Sequence, residues 1–171
     1  MPTHQMIRVL RFACALAVVC SLSFAGWRVS AGKPSAPPLL AGTKTVCPSG
    51  CDYATLTAAI ADIQAAGLSG ALVLELGATY VSTSETFPLT VPALTGASAV
   101  NTLTIRPALG ATGLSISSAD SSAATVDLNG AQFVTLDGRP GGVGSHAGSG
   151  GGTASQLTIA NTSTGGGALP Q

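Results

Sequence analysis

Residues 126–138, VDLNGAQFVTLDG, consist of two short segments in which apolar and polar residues alternate. The first segment ends at Asn129-Gly130, a dipeptide typical of tight turns, and the second ends at Asp137-Gly138. Alternation with a period of two is typical of a β-strand that buries one face. The stretch therefore predicts two short strands separated by a turn.

Segments of the same build recur from residue 71 onward, among them LVLEL, LTIR, LSIS and LTI. Leu74, Ile105 and Leu136 are separated by 31 residues each, and Ile159 follows after a further 23. Internal periods of about 20 to 50 residues are typical of solenoids. We therefore predict an all-β fold of stacked parallel strands, with Leu74, Ile105 and Leu136 as inward neighbours. A sandwich of hairpins is the alternative, and the similarity of the units favours the coil.

The predicted coil also places polar residues in outward rows on adjacent strands. Glu75, Arg106 and Asp137 form an acid–base–acid row, which we expect to hold the strand register. The neighbouring row is predicted to contain Val73, Thr104, Thr135 and Thr158.

One segment before these strands has the periodicity of a helix. Four apolar residues at positions i, i+3, i+4 and i+7 predict about three helical turns with one buried stripe. Asp52 or Thr55 is expected to cap the N-terminus, and Gly67 to end the helix. The stripe contains Leu56, Ala59, Ile60 and Ile63.

The N-terminus has the order of a secretory signal. Arg8 and Arg11 precede an apolar run over residues 12–25, which is followed by small-residue sites ending at Ala25 and Ala31. The run is shorter than the roughly 20 residues needed to span a bilayer. We predict a signal peptide over residues 1–31, cleaved after Ala25 or Ala31, and hence a secreted or cell-surface protein. A retained N-terminal anchor is the alternative.

The remaining chain is predicted to contain a flexible, proline-containing linker over residues 32–45 and a folded part over residues 46–171. The whole chain has seven basic and seven acidic residues. Cleavage after Ala31 would leave four basic residues against the same seven acids, a net charge of −3. This balance gives no reason to expect nucleic acid or an anionic membrane as a partner.

Two cysteines, Cys47 and Cys51, lie outside the predicted signal, in the sequence CPSGC. This spacing favours a tight disulfide loop in an oxidising compartment. A zinc site is the alternative, but it needs about four ligands. His146, the only histidine outside the signal, lies in the glycine-rich stretch GGVGSHAGSGGG. We therefore predict no metal site and no cofactor.

Glu75 and Asp137 of the acid–base–acid row are candidates for a catalytic pair. Glu75 and Asp137 would lie two strands apart, roughly 9.6 Å at the usual strand spacing, near the range used by inverting glycosidases. Arg106 between them would neutralise the carboxylates and would not raise either pKa. We therefore predict no catalytic residues.

The segments CPSGCDYATLTAAI, LVLEL, ETFPLTV, NTLTIRPA, ATVDLNGAQFVTLDGR and LTIANTST resemble secreted right-handed parallel β-helix proteins of the pectate-lyase-like superfamily. The similarity covers roughly residues 46–163 and is greatest to large surface proteins of the Bacteroidetes type. It implies a right-handed parallel β-helix with a capping α-helix over residues 52–66. It also implies a longer solenoid, so that this chain would be the N-terminal portion of a truncated or larger protein.

The resemblance is informative about the fold and much less so about activity, because the superfamily includes lyases, hydrolases and adhesins. Our first hypothesis is a non-catalytic, exported β-helix segment of a cell-surface or extracellular protein that is carbohydrate-binding or adhesive, with extracellular polysaccharide as the expected partner. The alternative is the N-terminal fragment of a polysaccharide lyase or glycoside hydrolase. In the lyases, as the resemblance implies, acidic residues would bind calcium and a basic residue would accept the proton.

Overall fold

The computed structural model describes residues 37–143 and 155–164. These residues form one α-helix, α1, two single 3-10 turns over residues 82–84 and 140–142, and eight β-strands. The helix spans Leu56–Ala66. The strands are β1 (Leu40–Val46), β2 (Leu68–Leu76), β3 (Leu89–Thr90), β4 (Leu103–Pro107), β5 (Leu114–Ser118), β6 (Val126–Asp127), β7 (Val134–Leu136) and β8 (Leu157–Asn161).

The strands pair in three sheets. The first has the order β1-β2-β4-β7, the second pairs β3 with β6, and the third pairs β5 with β8. Every one of these pairs is parallel. The described chain is therefore mostly strand, arranged in parallel sheets, with a single helix. Antiparallel hairpins, the basis of the alternative sandwich, do not occur among these strand pairs.

The register of the first sheet matches the predicted columns. Leu74 pairs with Ile105, which in turn pairs with Leu136. In the neighbouring row, Thr104 pairs with both Val73 and Thr135. These pairings confirm the 31-residue step between equivalent positions of β2, β4 and β7.

The predicted position of β8 is wrong. Thr158 and Ile159 pair with Ser115 and Ile116 of β5, in the third sheet, and do not extend the columns of the first. The 23-residue step from Leu136 to Ile159 leads to a different sheet, whereas the partners within the third sheet are 43 residues apart. The 11 residues between the two described ranges, 144–154, fall within this longer step.

The core is formed by the alternate, inward residues of the strands together with the inner face of α1. Leu72, Leu74, Leu103 and Ile105 are buried. Leu136 occupies the same column but is 36% exposed, so its predicted interior position is only half correct. The reason is its place in the stack: β7 is the last strand of its sheet, and no described strand covers it.

Helix α1 confirms the predicted stripe, since Leu56, Ala59, Ile60 and Ile63 are its buried residues. Thr55 is the N-cap, and its side-chain oxygen accepts a hydrogen bond from the Ala58 N–H at 3.0 Å. The helix therefore begins after Thr55, which confirms Thr55 as the cap and Ala66 as the end of the helix. Asp52 as the alternative cap and as the start of the 52–66 range is wrong.

Gly67 ends the helix with a positive φ of 84°, and its N–H donates to the Ile63 carbonyl at 2.7 Å. The left-handed region favours glycine because a Cβ is disfavoured there.

Strand β1 differs from the predicted boundary between linker and fold. Leu40–Val46 pairs in parallel with β2, so the first described strand begins six residues before the expected start of the fold at Val46. Gly42 and Lys44 align with Leu72 and Leu74 of β2. Because these two inward positions are not apolar, the segment lacks the alternation by which the other strands were predicted.

The predicted signal peptide over residues 1–31, its cleavage sites and most of the glycine-rich stretch with His146 lie outside the described residues. Within residues 37–143 and 155–164, no helix has both the length and the apolar character needed to cross a bilayer.

Candidate functional site

The outer face of the first sheet contains the polar rows that the sequence analysis singled out. Glu75 of β2 pairs with Arg106 of β4 in the strand register. Two guanidinium nitrogens of Arg106, Nε and Nη2, donate to Glu75 Oε1 at 3.1 Å and 2.8 Å. Both side chains are half-buried, which shields the ion pair from solvent in part. The predicted contact between these two residues is therefore confirmed.

Asp137, the third member of the predicted acid–base–acid row, is engaged by Arg139. Arg139 donates from Nε to Asp137 Oδ1 at 3.0 Å and from Nη2 to Oδ2 at 2.9 Å. The Arg139 backbone N–H also donates to Oδ1 at 3.0 Å. This fork binds both carboxylate oxygens, and the Asp137 hydrogen bond raises the pKa of Arg139 above its usual value.

These contacts decide what the acids can do chemically. Each carboxylate accepts two hydrogen bonds from guanidinium nitrogens, so it is already engaged in a charge-assisted contact within the protein. The side chains of Glu75 and Asp137 serve instead to fix β2, β4 and the turn after β7. The arrangement favours a structural role for these residues, as the sequence analysis expected.

Beside the charged row runs a second row, which we call the outer row: Thr43, Val73, Thr104 and Thr135. Thr43 and Thr135 are exposed, and the two central members are half-buried. Neighbouring strands are about 4.8 Å apart in a sheet. The outer row therefore presents hydroxyl groups, each both a donor and an acceptor, along a regular surface.

One further acidic residue, Asp127, lies away from this surface. Asp127 belongs to β6 in the second sheet, where it pairs with Thr90. The glycine-rich stretch begins with a 3-10 turn at Pro140–Gly142, and His146 lies outside the described residues. In the described part of the chain, no group of three or more His, Cys, Asp or Glu residues is placed to hold a metal ion.

Cys47 and Cys51 are joined by a disulfide directly after β1, with their Cα atoms 5.5 Å apart. The loop that they close is followed by Asp52 and Tyr53, which bond to β1. The Thr45 N–H donates to Asp52 Oδ2 at 2.8 Å, and the Tyr53 N–H donates to the Thr45 carbonyl at 3.0 Å. The disulfide loop thus folds back along the outer edge of β1.

The hydrogen bonds from Thr45 lower the pKa of Asp52, with a further contribution from Lys44. Lys44 Nζ lies 3.2 Å from Asp52 Oδ1. Asp52 therefore acts as an anionic anchor for β1 and not as the helix cap that its position in the sequence suggested.

Sequence reasoning missed the role of Glu85. Its carboxylate accepts hydrogen bonds from the backbone N–H groups of Leu56 and Thr57 at 2.6 Å and 2.8 Å. It also accepts from the hydroxyls of Thr57 and Tyr80, at 2.6 Å and 3.1 Å. An anion at a helix N-terminus satisfies orphan N–H groups and interacts favourably with the helix dipole. Because Glu85 is 28 residues from Thr57 along the chain, no local sequence pattern predicts this contact.

Three shallow depressions lie on the described surface, and none of them is lined by a charged residue. One, of about 340 Å³, is lined by Tyr80, Ser82 and Ser115 among others. A second lies beside the exposed ring of Phe133. These depressions contain neither the paired carboxylates nor the acid and base that hydrolysis or elimination requires.

The site that the described residues build best is therefore the outer face of the first sheet, a regular polar surface whose charges are paired. In comparisons with protein-family models, with curated proteins and with solved structures, nothing matches this chain.

Proposed function

We propose that the chain is a non-catalytic, exported segment of a cell-surface or extracellular protein that binds polysaccharide through the outer row. Its architecture in this proposal is a right-handed parallel β-helix with α1 as the N-terminal cap. The observation that carries the proposal is the outer row itself, in which threonines of β1, β4 and β7 lie on one face in strand register.

The β-helix is supported by the order of strands along the chain. β2 and β3 are followed by β4, β5 and β6, and then by β7 and β8. Four of these strands, β4, β6, β7 and β8, each pair in parallel with a strand 31 to 43 residues earlier. A chain that returns to the same three sheets in the same orientation builds a solenoid.

Export is supported by the disulfide between Cys47 and Cys51, because such bonds persist in oxidising compartments. It is also supported by the signal-like order of residues 1–31. Polysaccharide is the ligand class that fits hydroxyl groups repeated along a surface with little net charge. The Glu75–Arg106 pair beside the row could supply both an acceptor and donors to sugar hydroxyls.

The test is co-sedimentation of the exported protein with insoluble cellulose and chitin, with polygalacturonate gels as the acidic probe. The double variant T104V/T135V removes two hydroxyls of the outer row while keeping β-branched side chains in the strands. We expect binding to cellulose or chitin, and at least a several-fold loss of it in this variant.

The control is Thr158→Val, which removes a strand hydroxyl from the third sheet and should leave binding unchanged. Failure of the unmodified protein to bind any of the three polysaccharides would contradict the proposal, as would undiminished binding by the double variant. Release of soluble sugar fragments would instead favour the enzyme alternative.

A further inference from the structure

The turn between β6 and β7 contains the dipeptide Asn129-Gly130, and both residues are exposed. The backbone nitrogen of the residue after an asparagine can attack the carbonyl carbon of the asparagine side chain and close a five-membered ring. Glycine hinders this attack least, because it has no Cβ and reaches backbone conformations that other residues avoid. The turn is therefore a candidate for a covalent modification that needs no enzyme.

The surroundings of Asn129 leave both reacting groups unrestrained. Among residues 37–143 and 155–164, no hydrogen bond engages the Asn129 side chain or the Gly130 N–H. Gly130 has a positive φ of 77°. A Cβ built on it would meet nothing closer than the Ala93 Cβ, at 3.9 Å. The attacking nitrogen therefore lies in an open and solvated part of the turn.

The other two asparagines of the chain are held by the fold. Asn101 Nδ2 donates to the Gly96 carbonyl at 3.0 Å. Asn161 Nδ2 donates to the carbonyls of Asp120 and Ala123 at 2.7 Å and 3.1 Å. Each of the two asparagines precedes a threonine, whose branched side chain crowds the backbone nitrogen. We therefore expect both of these side chains to react slowly.

A following glycine is not sufficient by itself, because the described chain also contains Asp137-Gly138. Aspartate closes the same ring with water as the leaving group. Both carboxylate oxygens of Asp137 are held by Arg139, at 3.0 Å and 2.9 Å, so ring closure would have to break this fork. A Cβ on Gly138 would overlap Ser155, which shows that the backbone is closely packed there.

We propose that Asn129 is a site of spontaneous deamidation, and that the fold directs the reaction to this asparagine. The Gly130 nitrogen bonds to Asn129 Cγ, the Cγ–Nδ2 bond breaks, and the amide group leaves as ammonia with the proton that the Gly130 nitrogen gives up. Water then opens the succinimide ring at one of its two carbonyls. One opening gives aspartate, and the other gives isoaspartate, in which the main chain runs through the side-chain carbon. Water is the only co-reactant.

Either product changes the turn. Both add a negative charge, and isoaspartate also lengthens the main chain by one carbon. The turn lies between two contacts to the preceding coil: the Asp127 carbonyl accepts from the Val91 N–H at 2.8 Å, and Gly130 aligns with Pro92 in an isolated antiparallel bridge. A longer main chain shifts these contacts relative to each other. Isoaspartate is therefore expected to loosen the attachment of β6.

The test is incubation of the folded, exported chain at mildly alkaline pH, followed by peptide mass spectrometry that quantifies conversion at each asparagine. We expect Asn129 to convert at least several-fold faster than Asn101 and Asn161. Its rate should rise with pH, because the attacking nitrogen must lose its proton. An isoaspartate-specific methyltransferase should label the peptide with residue 129 and leave Asp137 unlabelled. Asn129→Gln should abolish the label at residue 129, since the larger ring closes more slowly.

The same chain in urea is the matched control, because it has the same sequence without the contacts of the fold. Unfolding should speed conversion at Asn101 and Asn161 several-fold and leave the rate at Asn129 nearly unchanged. Equal rates at the three asparagines of the folded protein would overturn the proposal. So would a folded protein in which Asn129 stays intact while it converts in urea. The reaction takes place whether or not the chain binds polysaccharide.

Hydrogen exchange of the purified isoaspartyl form tests the structural consequence. The Val91 amide should exchange several-fold faster in this form than in the unmodified protein, because its acceptor on β6 is displaced. The Leu103 amide, which donates to the Phe133 carbonyl at 3.0 Å on the other side of the turn, is the comparison within the same sample. Unchanged exchange at Val91 would contradict the loosening of β6.

Discussion

At the scale of single residues, the two tyrosines of the chain both use their hydroxyls to hold a carboxylate. The Tyr53 hydroxyl donates to Asp62 Oδ2 at 2.6 Å, and the Tyr80 hydroxyl donates to Glu85 Oε1 at 3.1 Å. Burial, followed by the interaction with Asp62, raises the pKa of Tyr53 to about 12. Burial and the neighbouring Glu85 charge also raise the pKa of Tyr80. Both phenols therefore keep their protons well above the pH at which an exposed tyrosine ionises.

This pKa shift predicts a loss of stability at alkaline pH. In the unfolded chain a tyrosine pKa is about 10, so between that pH and about 12 the folded state binds more protons than the unfolded state. Stability is then full below pH 10 and falls as the pH rises through this window. Ultraviolet titration should show no phenolate in the folded protein near pH 10, and normal ionisation in urea. Tyr53→Phe should reduce the alkaline loss of stability. Ionisation of both tyrosines near pH 10 in the folded protein would contradict this account.

At the scale of elements, local periodicity predicted the parts of the fold whose partners lie at regular steps. The stripe of α1 and the Leu74–Ile105–Leu136 column follow from spacing alone, because each needs only an apolar residue at a fixed interval. Strand β1 was not predicted, because Lys44 occupies a position at which the alternation requires an apolar residue.

Two other features depend on contacts that no local pattern encodes. The long connection between β7 and β8 breaks the repeat, so spacing alone assigned β8 to the wrong sheet. The candidate site was predicted in part: the Glu75–Arg106 pair follows from the register, whereas Asp137 pairs with Arg139 two residues away. Which nearby arginine contacts Asp137 depends on the geometry of the turn after β7, and the periodicity of the sequence does not specify that geometry.

Helix α1 provides a prediction at the same scale, because its N-terminus is anchored by Glu85. Replacing Glu85 by Gln removes the charge and turns one acceptor into a donor facing backbone N–H groups. Leaving such a group unpaired costs about 1 to 3 kcal/mol, so the urea midpoint should fall by a corresponding amount. Asp127→Asn, which removes a charge from an exposed position on β6, should change stability by less than about 0.5 kcal/mol. Equal effects of the two variants would show that Glu85 does not anchor the helix.

At the scale of the whole molecule, the two ends of the strand stack differ in chemistry although they belong to the same column. Lys44 begins the column, Leu74 and Ile105 form its buried middle, and Leu136 ends it. Residues of this one column therefore have three different environments: an ion pair at one end, a packed core in the middle and a half-exposed apolar surface at the other end. The cost of a substitution in unfolding free energy therefore depends on how deep the residue lies in the stack. The repeat pattern alone does not give this depth.

This gradient predicts that one substitution has very different effects at two positions of one column. Ile105→Asp places a carboxylate in the buried middle, where an unpaired charge costs several kcal/mol or is neutralised by protonation, and we expect the protein to be unfolded at neutral pH. Leu136→Asp leaves the charge in contact with water and should cost about 1 kcal/mol or less of unfolding free energy. Thermal and urea unfolding compare the two variants directly. Similar losses at both positions would mean that β7 is covered and that Leu136 is as buried as Ile105.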